Sequence, residues 1–223
     1  MNKKEIKFID LITDLITHEF KTPINTISGF SEILSSNMSL EESKRKEYLK
    51  LINEQSHYLA LITDCIIDLG KMELENFRIM KNPVIISDLL KKKIQKLNRL
   101  NSTDFIIDKL NLSKQINVDE RKILGLVELL LIHLKKIIST DEKIEITDIE
   151  TEKHLIFKIT LNTKSEEKEL LVSKLNKEGE INEISHENPT SIYWIKRIMK
   201  YHNGILNNKN TETGIEIEIK LLI

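Results

Sequence analysis

The chain has 223 residues, 40% hydrophobic and 31% charged, with a formal net charge of -1. That length allows one large or two small globular domains with ample core, and the balanced charge excludes the basic footprint of a nucleic-acid binder. The single cysteine, Cys65, suits a reducing compartment. No stretch approaches the ~20 apolar residues of a membrane span. Asp10 and Asp14 break the apolar run after Met1-Asn2-Lys3-Lys4, so no signal peptide is expected. A cytoplasmic protein without nucleic-acid or membrane partners is expected.

The first helix is expected over residues 2 to about 37. Ile9, Ile12, Ile16, Phe20, Ile24, Ile27, Phe30 and Leu34 recur three or four apart, as one face of an amphipathic helix requires. His18 lies roughly 200° round from Ile16, among Lys7, Asp14, Lys21, Asn25 and Glu32. A core histidine would sit on the apolar face; this one is expected to face water. Pro23 removes a backbone donor and pushes against the carbonyl of Glu19, which predicts a kink beside the histidine.

A second helix is expected from a capping box, Ser39-Leu40-Glu41-Glu42. Its seam of Tyr48, Ile52, Gln55, Leu59, Ile62, Ile66 and Leu69 alternates four and three apart, as in a coiled coil. A lone hairpin cannot bury both stripes well, whereas a four-helix bundle made by two chains does. Homodimerisation is therefore expected on burial grounds.

The pattern changes around Asn76 to Pro83, dividing the chain into domains at 1–76 and 77–223. Strands are expected at Val84-Ile85-Ile86, Phe105-Ile106-Ile107 and Gln115-Ile116-Asn117-Val118. Helices are expected from Ser87 to Leu100 and from Asp119 to Ile138. Ile144 to Thr147 and Leu155 to Ile159 alternate as a hairpin. Two further helices, Glu169 to Leu175 and Pro189 to Tyr201, precede an Asn203-Gly204 turn and a closing strand from Gly214 to Ile223. The fold class is α+β: an antiparallel helical hairpin, dimerising as a four-helix bundle, then an α/β sandwich with helices on a mixed sheet.

Thr17-His18-Glu19-Phe20-Lys21-Thr22-Pro23-Ile24-Asn25 resembles the phosphorylated-histidine box of two-component sensor histidine kinases, and the match continues from Ile27 to Leu34. Val118-Asp119-Glu120-Arg121 resembles the lead into that family's asparagine-box helix. Ile195 to Gly204 is similar to its last helix, and Asp68 to Glu73 to its exit from the hairpin. The resemblance implies a dimerisation and phosphotransfer hairpin followed by an ATP-binding domain. It also implies that response-regulator receivers are the partners. Seventeen residues precede His18, too few for a sensing domain, so a signal is expected to arrive through a partner.

Three elements of the family's nucleotide site are absent. Where an asparagine would hold Mg²⁺ the chain has His133, and Leu129 replaces the asparagine before it. Neutral imidazole is a poor ligand for so hard a cation. Where a glycine-rich aspartate box should follow Leu161, the chain reads Asn162-Thr163-Lys164-Ser165-Glu166-Glu167. Before Ile195 it reads Glu187-Asn188-Pro189-Thr190-Ser191-Ile192-Tyr193, without the glycines that let backbone approach phosphates. ATP binding is expected to be lost, leaving no intrinsic cofactor or metal, with Mg²⁺ supplied on the partner receiver.

The expected activity is His-Asp phosphotransfer, as in relay phosphotransferases that pair a helical-hairpin dimer with a degenerate ATPase-like domain. His18 carries the phosphoryl group, Glu19 fixes the imidazole tautomer, Lys21 screens charge and Thr22 completes the catalytic set. The alternatives are an active kinase with a divergent site, a receiver phosphatase using the Glu-x-x-Thr pattern of Glu19 and Thr22, and a non-catalytic pseudokinase that sequesters receivers. His133 beside Glu128 reads as a helix histidine rather than a metal site. Tyr193 and Trp194 read as core, Cys65 as a buried thiol, and Lys91-Lys92-Lys93 as a solvated face. His57, His154, His186 and His202 have no assigned role.

Overall fold

The computed structural model describes residues 13, 19–36, 39–100, 105–139, 142–176 and 189–223. His18, the early stripe residues Ile9, Ile12 and Ile16, and His186, Glu187 and Asn188 lie outside them. The chain divides into two compact units, Met1–Phe77 with Gly179–Trp194, and Arg78–Glu178 with Ile195–Ile223.

In the first unit, helices α1 (Lys21–Ser35) and α2 (Glu42–Glu73) form a hairpin. Glu19 and Phe20 form a π turn just before α1. Pro23 accounts for it: the ring supplies no N–H and crowds the carbonyl four residues back, so the ladder widens by one residue. Phe30 stacks on Tyr48 with ring centroids 4.8 Å apart, registering α1 on α2. The α2 seam is covered toward its C-terminal half, with Ile62 and Leu69 buried, while Tyr48, Ile52, Gln55, Leu59 and Ile66 stay half-buried. Cys65 is a buried thiol outside any disulfide, as read from the seam. The expected capping box does not form. The helix starts at Glu42, and Glu41 occupies the cap position without a side-chain hydrogen bond to the helix. Ser39 therefore sits two residues too early to cap.

The second unit is a mixed sheet with helices. Its elements are β1 (Asn82–Val84), α3 (Ile86–Leu100), β2 (Phe105–Ile106), β3 (Ile116–Val118), α4 (Glu120–Lys135), β4 (Ile144–Glu150), β5 (His154–Asn162) and α5 (Glu167–Asn176). After α6 (Thr190–Tyr201), which begins in the first unit, come β6 (Ile205–Asn210) and β7 (Gly214–Leu222). The five-stranded sheet runs β2-β4-β5-β7-β6 and β1 pairs with β3 separately. β2 is parallel to β4 and the other pairings are antiparallel. Leu155, Phe157, Ile159 and Leu161 of β5 are buried and alternate with half-exposed residues, so helices cover one face only. Ile217, Ile219 and Leu221 of β7 continue that core.

Two glycines mark places where backbone must come close. A Cβ on Gly214 would collide with the Leu161 carbonyl oxygen, where β7 pairs with the end of β5. Gly214→Ala is expected to cost about 3 kcal/mol or more, since the obstacle is backbone that cannot rotate away; urea unfolding measures it. At the end of α6, Asn203 takes the left-handed conformation at φ 53°, and the Gly204 N–H reaches back to the Met199 carbonyl at 2.9 Å. That is a Schellman ending, and a Cβ on Gly204 would lie 2.8 Å from the Lys220 carbonyl oxygen.

His202, read from sequence as having no role, is a buried structural hub. Its Nε2 accepts the Asp119 N–H at 3.0 Å, so Nδ1 carries the proton and donates to the Ile198 carbonyl at 2.9 Å. Asp119 in turn accepts the N–H groups of Lys122 and Met80, capping α4. Burial chiefly lowers the His202 pKa, helped by Lys81 and opposed by the Ile198 hydrogen bond and Asp119. Burial, then Lys136 and Lys174, push His133 from 6.5 down to about 3. Both native pKa values lie below the unfolded value, so the unfolded state binds more protons as pH falls. The two histidines' stability is complete above about pH 6.5 and declines below it, by up to about 1.4 kcal/mol per pH unit for each. Urea unfolding at about pH 7.5 and pH 5 is expected to show the decline, with a shallower slope in His202→Gln.

Candidate functional site

The candidate site lies where the hairpin begins. Glu19 is half-buried in the π turn, and its Oε1 accepts two hydrogen bonds from Thr190. The Thr190 N–H donates at 2.8 Å and its hydroxyl at 2.6 Å. Thr190 is fully buried and opens α6. The first N–H groups of a helix have no partner within it, and the helix dipole favours an anion there. A carboxylate 171 residues away in sequence therefore caps α6.

Glu19 Oε2 is buried and, among the described residues, has no hydrogen-bond partner. The carboxylate also acts on Tyr58 of α2, whose phenol is pushed above its usual range by burial first, then by Glu19 and Cys65. A second carboxylate of the hairpin, Asp68, accepts the Trp194 indole N–H at 2.9 Å. Both groups are buried, so the first turns of α6 are fixed by one acid from each side of the hairpin.

Of the four residues expected to act, the structure describes three. Glu19 is engaged as above; Lys21 and Thr22 are exposed one turn on, and the Thr22 carbonyl accepts the Thr26 hydroxyl at 2.9 Å. His18 lies outside the described residues. Thr190, Asp68 and Tyr58 carry no sequence signal for a part in the site. A threonine after a proline is an ordinary helix start, and nothing local ties residue 190 to residue 19. Tyr193 and Trp194 are core, as expected.

The residues that the sequence resemblance aligns with the family's nucleotide site lie in α4, after β5 and before Ile195. His133 and Leu129 are buried in α4, and His133 is held neutral by its depressed pKa. Glu128 is 1% exposed and pairs with Lys93 at 2.7 Å. Lys93 is thus not part of a merely solvated lysine face. No group of three or more metal-ligating side chains occurs among the described residues. After β5, Asn162 accepts the Thr213 hydroxyl and the buried Thr163 accepts the Ser165 N–H. Glu142 hydrogen-bonds Ser139, Thr163 and Lys164, which together lower its pKa against burial. No helix of the described residues is long and apolar enough to cross a membrane.

Residues 11–75 match the His Kinase A (phospho-acceptor) domain model. Among curated relatives, histidine protein kinase DivJ of Caulobacter vibrioides is 41% identical over 68 residues, covering 30% of this chain and 11% of that protein. Autoinducer 2 sensor kinase/phosphatase LuxQ of Vibrio parahaemolyticus is 34% identical over 76 residues, 34% of this chain and 9% of that protein. The matched segment is thus a small part of each relative. Among solved structures, Acinetobacter baumannii histidine kinase AdeS aligns with a TM-score of 0.58 at 16% identity, covering 92% of this chain and 97% of that one. Histidine kinase ThkA, solved in complex with response regulator protein TrrA, aligns with a TM-score of 0.53 at 18% identity, covering 99% and 64%. The chain thus carries a His Kinase A (phospho-acceptor) domain at residues 11–75 and has the fold of histidine kinases of known structure over most of its length.

Proposed function

We propose that the protein is a His-Asp phosphotransferase, carrying a phosphoryl group on His18 and exchanging it with response-regulator receiver aspartates, without binding ATP. The observation that carries this reading is the contrast between the two units. The histidine box is complete through Asn25, whereas the place of the Mg²⁺-holding asparagine holds a buried neutral imidazole, His133. Neutral imidazole is nucleophilic near pH 7 and its phosphoramidate stays reactive, so His18 suits a relay. Positioning and electrostatics then do most of the work, with Mg²⁺ on the receiver.

A homodimer fits the same reading. Ile24, Ile33, Leu49 and Ile67 of the hairpin are 37–53% exposed, which a second hairpin would cover in a four-helix bundle. Receiver dephosphorylation is a second activity, favoured by the exposure of Thr22 one turn after Glu19, where its hydroxyl can orient water. The test is a panel of receiver domains charged with labelled acetyl phosphate. Label moving to wild type but not to His18→Gln supports phosphotransfer. Free phosphate without labelled protein supports the phosphatase, and no change in any receiver contradicts both.

A further inference from the structure

We infer that the head of α6, Thr190 to Trp194, is a strap on the phospho-acceptor hairpin, fastened at Glu19 before α1 and at Asp68 in α2. A segment that the sequence resemblance aligns with the nucleotide site thereby holds the hairpin instead. Its five residues share one compact unit with the hairpin, whereas α6 from Ile195 onward belongs to the second unit.

Burial changes at the same point. Thr190, Ser191, Ile192, Tyr193 and Trp194 are all buried. At about 100° per residue, five consecutive positions go right round a helix, so this turn is enclosed on every side. Farther along, burial narrows to a stripe of Ile195, Ile198 and Met199, between Lys196, Arg197, Lys200 and Tyr201, which are half-buried or exposed. A helix resting on one surface buries only such a stripe. The head therefore has a further surface against it, and its side-chain bonds identify that surface as the hairpin. The Trp194 indole N–H donates to Asp68 at 2.9 Å, and Thr190 donates twice to Glu19, at 2.8 and 2.6 Å. The buried residues of α2, Ile62, Cys65, Asp68, Leu69, Gly70 and Met72, gather around the first of these fastenings. A buried indole N–H or hydroxyl left without an acceptor is costly, so the two acids hold the head in place and the head in turn covers the hairpin. Lifting the strap opens this end of the hairpin locally, without unfolding the rest.

Hydrogen exchange of the full chain, read by mass spectrometry, tests the strap without requiring any phosphotransfer activity. Trp194→Phe keeps an aromatic ring but loses the N–H that reaches Asp68. The α2 amides from Ile62 to Met72 are then expected to exchange about tenfold faster, the size of one lost buried hydrogen bond, while β5 and β7 keep their wild-type rates. Thr190→Val deletes one of the two bonds to Glu19 at nearly constant volume and is expected to speed exchange in the first turns of α1, with Thr190→Ser restoring it. Unchanged exchange in α2 of Trp194→Phe, or acceleration confined to β5 and β7, overturns the inference and returns the segment to the second unit. Equal acceleration in α2 and in the sheet also overturns it, because the head would then support the chain as a whole rather than the hairpin.

Discussion

His18→Gln is expected to abolish phosphoryl uptake from every donor, receiver or small molecule, while the protein still unfolds cooperatively in urea. Glutamine keeps polar bulk on what the sequence places as a solvent-facing position, but it has no nucleophilic nitrogen. The loss is therefore complete rather than graded, as for any covalent carrier. Glu19→Gln retains an acceptor for Thr190 but not a base, and is expected to slow transfer about a hundredfold, the lower end of what a positioned general base contributes. Single-turnover transfer from a labelled receiver distinguishes the two. If His18→Gln still takes up stable label, the carrier is another residue and the histidine-box reading fails.

A large effect on stability is expected at Lys93. Its ammonium meets Glu128, which is 1% exposed, at 2.7 Å. Removing the ammonium weakens the compensation of a buried acid, so Lys93→Met is expected to cost about 3 kcal/mol, the lower end for a broken buried pair, because Lys93 is partly exposed. The double change Lys93→Met with Glu128→Leu removes both charges and is expected to restore most of the loss, because desolvation no longer opposes folding. Urea unfolding of the two variants at about pH 7.5 decides it. A single variant within about 1 kcal/mol of wild type would mean that Glu128 is neutral or otherwise held.

These sites differ in how far the sequence announces them. The hairpin and most of the second unit were legible because they rest on local periodicity. The four-three spacing from Tyr48 to Leu69 and the alternation of Leu155, Phe157 and Ile159 each name their own element. β6 was not expected: Ile205-Leu206-Asn207-Asn208-Lys209-Asn210 has one β-branched residue, Ile205, no aromatic, and three asparagines that are poor strand formers. It pairs on one side only, with β7, and an edge strand tolerates such a composition. Val84 and Ile86 were joined into one strand from sequence, but β1 ends at Val84 and Ile86 begins α3. An apolar run alone does not show where a chain turns.

The site was half legible. Glu19, Lys21 and Thr22 come from one contiguous box, and Pro23 announced the disturbance that the structure records as a π turn. What Glu19 does with its carboxylate was hidden, because Thr190 is far along the chain and hydrogen bonds of that range leave no spacing signal. The same holds for Asp68 with Trp194 and for Asp119 with His202. His202 looked unassigned because both of its partners are backbone groups, which any sequence can supply.

The most direct test of the account is incubation of the purified protein with γ-labelled ATP and Mg²⁺ beside His18→Gln, with ATP binding followed by calorimetry. The account predicts no label on either protein and no binding heat, while phosphorylated receivers still charge His18. Label on wild type and not on the variant would contradict it, and would make this chain an ATP-dependent kinase whose nucleotide site has been rebuilt around His133.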